Sequence, residues 1–304
     1  MMYIRAVNDE EIMSINKPLF DEIYEECLQI ISNSQDKNII SKRTKLDVSY
    51  NKLCELEDHE HQEFYSVVHE LRLYSYLKQI GISVSAANDN KAGPDFISDI
   101  GYIECVCLTK GEKGTPQRKC LDDRLRGSMN RYVAALPRLT SVLLDKQKKF
   151  SDYLSRNLID ENKPRIIAVN TSIFSNEFHS DSNLDLALKV LYGIGCQTMC
   201  FDIKTNSFVD EKGVETHAFE DRGIKPPQNI ELQLDYFSGK LFKNVSGVII
   251  VNNSIGEKIS KKYFNLLVNP NSNVPINFSL LNKLKYLALQ NMENGYVNYQ
   301  WFNQ

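Results

Sequence analysis

The side chains of this sequence best suited to chemistry are concentrated in "GPDFISDIGYIECVC", residues 93–107. Asp95 and Glu104 stand there among apolar and β-branched residues that read as two strands of a hairpin joined by "DIG". Strand side chains alternate between faces, so Asp95 shares a face with Ile97, and Glu104 shares one with Val106. A turn this short is expected to bring the two acids together. Carboxylates held close repel unless one is protonated or a cation lies between them. An oxygen-rich pair of this kind suits Mg²⁺ or Mn²⁺, which favour carboxylates, carbonyls and water.

Two helices must position whatever joins that pair. The first is expected over 62–80, stopped by Gly81, and it carries a third acid. Glu70 belongs to the series Val67, Glu70, Tyr74, Leu77, whose steps of 3, 4 and 3 put it on an apolar stripe. A charge there is costly unless it is paired or metal-linked. A Glu hydrogen-bonded to a nearby Arg, or one at the stripe's edge, is the plainer reading. The second helix, for which Pro137 can serve as a first-turn residue, runs to about 155. Its stripe is Leu139, Leu143, Lys146, Phe150, Tyr153, with a lysine inside it. Lysines usually stay outside such a stripe or snorkel from its edge.

Charge is unevenly distributed around these helices. The chain carries −3 overall, yet residues 109–149 hold eleven Lys/Arg against four acids. A local basic segment after the carboxylate hairpin can bind a polyanion while the chain stays acidic as a whole; a solvated helical face is the alternative. No apolar run approaches the ~20 residues that cross a bilayer. "MMYIRAVNDEEIM", residues 1–13, lacks the basic start and apolar core expected of a secretion signal, and the seven cysteines match no zinc or redox spacing. Reduced thiols in a cytoplasmic protein are the expectation.

Around this centre the chain reads as a helical N-terminal extension (1–60) and one larger domain (61–304). "ISVSA", "RIIAVNT", "QTMCFDI" and "VSGVIIVNN" are expected strands, and "LDLALKVLYGIG" is an expected helix. A polar stretch, 204–243, is long enough to be a lid or insertion. A short helix is expected near 278–292. Alternating strands and helices indicate an α/β fold with a mixed central sheet flanked by helices.

A helix bearing Glu70, then "GPDF", then a strand with "IEC" resembles the PD-(D/E)XK, restriction-endonuclease-like, nuclease superfamily over roughly residues 60–170. The resemblance implies an αβββαβ core with metal-binding Asp95 and Glu104 on adjacent strands and Glu70 on the first helix. Where the superfamily's lysine follows two residues after the strand Glu, this chain has Val106. Some members carry that lysine on the helix after the hairpin. Lys146 is the candidate here, with Lys110 the runner-up.

The resemblance further implies Mg²⁺ or Mn²⁺ held by Asp95, Glu104 and the Cys105 carbonyl, with Glu70 orienting water or a second metal. Lys146 would neutralise charge developing on the phosphate. Arg118, Lys119, Arg124, Arg126, Arg131 and Arg138 would bind a nucleic-acid backbone, DNA in the first instance, with salt-sensitive affinity. No base-recognition module is evident. The implied activity is a metal-dependent endonuclease of bacterial restriction or anti-phage defence. Such an enzyme needs restraint, from a regulatory protein partner or a homodimer, with 1–60 or 204–243 as the expected surface. The alternative is an inactive relative kept as a nucleic-acid-binding or scaffolding subunit, with Val106 marking the loss.

Overall fold

Strand-length apolar runs in this chain become the middle of a single eight-stranded sheet. The computed structural model describes residues 9–56, 62–87, 92–109, 128–171, 182–193, 197–198, 201–202, 207–208, 214–215, 236–252, 260–293 and 296–303. Three helices come first: α1 (Asp9–Ser32), α2 (Lys37–Glu55) and α3 (Gln62–Gln79). Strands β1 (Val84–Ala86), β2 (Phe96–Ser98) and β3 (Gly101–Cys107) follow, then α4 (Ser128–Ser155) and β4 (Arg165–Asn170). Helix α5 (Ser182–Tyr192) leads to four two-residue strands: β5 (Gln197–Thr198), β6 (Phe201–Asp202), β7 (Ser207–Phe208) and β8 (Val214–Glu215). The chain continues with β9 (Gly247–Val251), β10 (Phe264–Val268), α6 (Phe278–Leu281), β11 (Tyr286–Glu293) and β12 (Tyr296–Phe302).

The sheet order is β1-β2-β3-β4-β9-β10-β11-β12, with parallel pairing at β3/β4, β4/β9 and β10/β11 and antiparallel pairing elsewhere. The α/β class with a mixed sheet is therefore observed. β4 is buried along almost its whole length because helices cover both of its faces, which explains its unbroken apolar run. Ile166 and Ala168 face a core shared with α1, α2 and α3. Ile167 and Val169 face a second core with α4 and α5. Phe20, Ile23, Ile39, Leu46 and Leu53 belong to the first core, so α1 and α2 pack as part of the same body as α3 and the sheet.

Several expectations are corrected. Helix α4 begins at Ser128, and Pro137 lies inside it rather than at its start. Proline removes one helical N–H, and just beyond it the Thr140 hydroxyl donates to the Leu136 and Pro137 carbonyls (3.1 and 3.0 Å). "QTMCFDI" forms two separate short strands, paired with β8 and β7 outside the main sheet. The helix expected near 278–292 is four residues long and gives way to β11. There, pairing on both sides outweighs the helical propensity of a Leu-rich segment. The end of the polar stretch 204–243 is core: Tyr236, Phe237 and Phe242 are buried, and Phe237 N–H bonds to the Leu191 carbonyl at 2.9 Å.

Candidate functional site

The β2–β3 register pairs Phe96 with Ile103, which puts Asp95 beside the Glu104–Cys105 peptide just past the last paired rung. The turn is tight because Gly101 takes φ 128°; a Cβ at this position would collide with the Pro164 carbonyl. Asp95 Oδ2 accepts the Cys105 backbone N–H at 2.6 Å. A strand residue sends its N–H and C=O out on the same edge, so the Cys105 carbonyl also leaves β3 on the Asp95 side. The hairpin thus brings Asp95 and Glu104 together, as the alternation pattern predicted, with the Cys105 carbonyl on the Asp95 side of β3.

Glu104, opposite Asp95 across the hairpin, extends into the core beneath α4. Its side chain is only 1% exposed. Oε2 receives the Lys146 ammonium at 2.6 Å and the Lys149 ammonium at 3.4 Å, and Oε1 accepts the Tyr153 hydroxyl at 2.9 Å. Lys146 also stands 4.0 Å from Asp95 Oδ2, so one ammonium serves both strand acids. The apolar stripe of α4 makes this possible: Leu139, Leu143 and Phe150 seat the helix on the sheet and aim the intervening lysine at Glu104. Val106 lies two residues beyond Glu104 on the same strand face and packs partly buried against α4's core. The amine that meets Glu104 therefore comes from α4, with Val106 two positions further along the strand.

Glu70 is buried on α3, as its stripe predicts, but its Oε2 is held at 2.7 Å by Lys42 of α2. It is close enough to Asp95 to act on it through charge. Among the described residues no three His, Cys, Asp or Glu side chains form a ready-made metal-ligand set. Cys105 and Cys107 are buried, and burial pushes both thiols up, consistent with core packing. His69 is also structural: its Nε2 meets the Ala168 carbonyl at 3.2 Å, and burial lowers its pKa to about 4, leaving the ring neutral.

Lys110, Arg118, Lys119, Arg124 and Arg126 lie outside the described residues, as does the side chain of Arg131 on α4. Arg138 is half-buried on α4, eleven residues before Lys149, so the two share one side of the helix. Sequence reasoning missed Lys42, Lys149 and Tyr153. Lys42 shares the buried face of α2 with Ile39, Leu46, Ser49 and Leu53, at helical steps of 3, 4, 3 and 4.

Burial, then the charges of Glu104 and Glu70, push the Asp95 carboxyl up to about 6, against the opposing pull of Lys146 and the Cys105 N–H. Burial alone would lower the Lys146 pKa, but Glu104 and Asp95 outweigh it and the net shift is upward, so the ammonium stays charged. Burial and the Glu104 charge also raise the Tyr153 phenol, which remains a donor.

The Asp95 shift predicts a pH-dependent stability effect. A carboxyl raised from 3.8 to about 6 favours the fold while protonated; that contribution is complete below the unfolded pKa and is lost as pH rises through about 6. At about pH 7.5 the ionised Asp95 therefore weakens the fold, and Asp95→Asn is expected to stabilise it. A two-unit shift corresponds to about 3 kcal/mol. Asp95 is 32% exposed and solvent screens part of the penalty, so the expected gain is about 1 kcal/mol. Urea denaturation across pH should show the gain at about pH 7.5 and its disappearance towards pH 4; the reverse trend would contradict the shift.

No protein-family model, curated protein or solved structure matches this chain, so its chemistry rests on the geometry above. Among the described residues no helix is long and apolar enough to cross a membrane.

Proposed function

We propose that the protein is a metal-dependent nuclease that hydrolyses phosphodiester bonds, with DNA as its substrate class. One observation carries this reading: Lys146 stands 2.6 Å from Glu104 and 4.0 Å from Asp95, supplying from α4 the amine that Val106 omits from the strand. The succession α3, β1, β2, β3, α4, β4 also has the αβββαβ order of restriction-endonuclease-like cores.

The donor set fits a hard divalent cation. Asp95 and Glu104 already share one positive charge, the Cys105 carbonyl leaves the strand on the Asp95 side, and oxygen ligands are what Mg²⁺ and Mn²⁺ take. Bound there, such an ion would polarise a phosphate oxygen and acidify a water. The chain's own residues do the rest. Tyr153 and Lys149 fix the Glu104 carboxylate against β3, and the Cys105 N–H fixes that of Asp95. Lys146 presents a charged amine to the negative charge that grows as the phosphodiester is attacked. Arg138 and the basic residues 118–131 would hold the nucleic-acid backbone without reading its bases.

A second reading has its own observation: Lys146 and Lys149 already balance Glu104, an arrangement a silent scaffold could keep indefinitely. Plasmid nicking with Mg²⁺, Mn²⁺ or EDTA separates the two. The nuclease is expected to nick only with metal, and Asp95→Ala and Glu104→Ala should each reduce the rate by at least about a hundredfold. Metal-indifferent inertness combined with salt-sensitive DNA binding would instead establish the scaffold.

A further inference from the structure

A second polar centre lies where β4 and β9 begin. Arg165, the first residue of β4, is 1% exposed. Its Nε donates to the Asn244 carbonyl at 2.5 Å and its Nη1 to the Glu161 carbonyl at 3.0 Å. Among the described residues Nη2 has no hydrogen-bond partner and the guanidinium has no ion pair. Carbonyl dipoles do not neutralise a charge, and a buried ion ordinarily has a counter-ion. Burial accordingly lowers the Arg165 pKa, opposed only by the charge of Glu161. The same guanidinium lines an open cavity of about 500 Å³ between the turn after α4, the segment before β9 and the loop after β10. Asn162, Asn244 and Asn273 line it as well, together with the exposed acids Asp160 and Glu161. Asp160 Oδ1 accepts the Asn162 backbone N–H at 2.9 Å and its Nδ2 at 3.3 Å, but neither acid pairs with a cation among the described residues. Opposite charges thus border one cavity without meeting each other.

We propose that this cavity binds a small amino carboxylate, its carboxylate on the open Nη2 of Arg165 and its ammonium against Asp160 and Glu161. A guanidinium recognises a carboxylate through charge-assisted hydrogen bonds, which gain strength away from water. A phosphate would bring up to two negative charges beside two carboxylates, and like charges repel. A zwitterion satisfies both signs at once, and the volume falls in the range of small-molecule pockets. The plainer role for Arg165, tying β4 to the turns at 161 and 244, uses Nε and Nη1 and leaves Nη2 idle. None of these residues contacts Asp95 or Glu104, so the cavity stands apart from the nuclease reading.

Melting curves of the full chain in sodium chloride, and with glycine, acetate or inorganic phosphate added at constant ionic strength, test the proposal in wild type, Arg165→Gln and Asp160→Asn. Glycine at saturation is expected to raise the wild-type melting temperature by about 2 °C, acetate by less, and phosphate not at all. Arg165→Gln should melt lower and show no rise with any probe. Asp160→Asn should lose the preference for glycine over acetate, because one of the two acids that receive the ammonium is gone. A purely structural arginine would lower the melting temperature when replaced, yet leave wild type indifferent to all three probes; that result overturns the proposal. A rise of equal size in wild type and Arg165→Gln would be an effect of the solvent and overturns it too. Phosphate outranking glycine and acetate would overturn the ligand class. If Arg165→Gln does not fold, Asp160→Asn decides: an unchanged preference for glycine would place its binding elsewhere.

Discussion

Lys146→Met is expected to slow metal-dependent cleavage by about a thousandfold, the upper range for loss of one preorganised charge at a reacting centre. Adding Val106→Lys to the same chain should restore a measurable part of the rate. Position 106 is on the Glu104 face of β3, two residues on, and its side chain already packs against α4's core. A lysine there can direct its amine to the oxygen that Lys146 now meets at 2.6 Å. The single variant should also lose stability. Glu104, 1% exposed, would keep only the Tyr153 hydroxyl and the more distant Lys149, whose side chain is 53% exposed. Breaking one side of a buried ion pair costs about 3–5 kcal/mol, so cleavage must be compared on protein shown to be folded. Single-turnover nicking checks the rate, and urea denaturation checks the fold. A folded Lys146→Met that cleaves normally would make the lysine structural. A folded double variant with no recovery would show that positions 106 and 146 are not interchangeable.

That comparison shows how far the site was legible. Asp95 and Glu104 could be placed together because strand alternation and a two-residue turn leave little freedom of register. Lys146 stood out because it interrupts a helical apolar stripe, and burial of its neighbours Leu143 and Phe150 confirms that stripe. Tyr153 was hidden by the same logic, since a tyrosine in such a stripe reads as core whether or not its hydroxyl has an acceptor. Lys42 was obscured by its setting: "KNIISKRTKLDVSYNKL" is so polar that one buried lysine does not stand out from its exposed neighbours. Glu70's burial was readable from the 3, 4, 3 spacing, but its partner lies twenty-eight residues away on another helix, a separation that periodicity cannot bridge. The fold shows the same division. Runs buried on both faces, such as β4 and β9, were plain, whereas the Leu-rich β11 depends on pairing partners and its propensity alone misdirects.

The question raised by carboxylates in a sheet can be put to a stability measurement. Glu104→Met alone should destabilise by about 3–5 kcal/mol, because Lys146 is left 12% exposed with Asp95 4.0 Å away as its remaining counter-charge. Glu104→Met combined with Lys146→Leu removes both charges, and Tyr153→Phe removes the hydroxyl that would otherwise lose its acceptor. Replacing a buried ion pair with apolar groups of similar volume is often neutral or stabilising by about 1–4 kcal/mol. The triple variant is therefore expected to be at least as stable as wild type in urea denaturation, yet to lose Mn²⁺ affinity by at least about a hundredfold and to lose nicking entirely. Gain of stability with loss of binding would show that the fold tolerates Glu104 and the chemistry requires it. A triple variant markedly less stable than wild type would reverse that reasoning: the carboxylate would belong to the architecture of β3 and α4, and the strongest reason for placing an active site there would be gone.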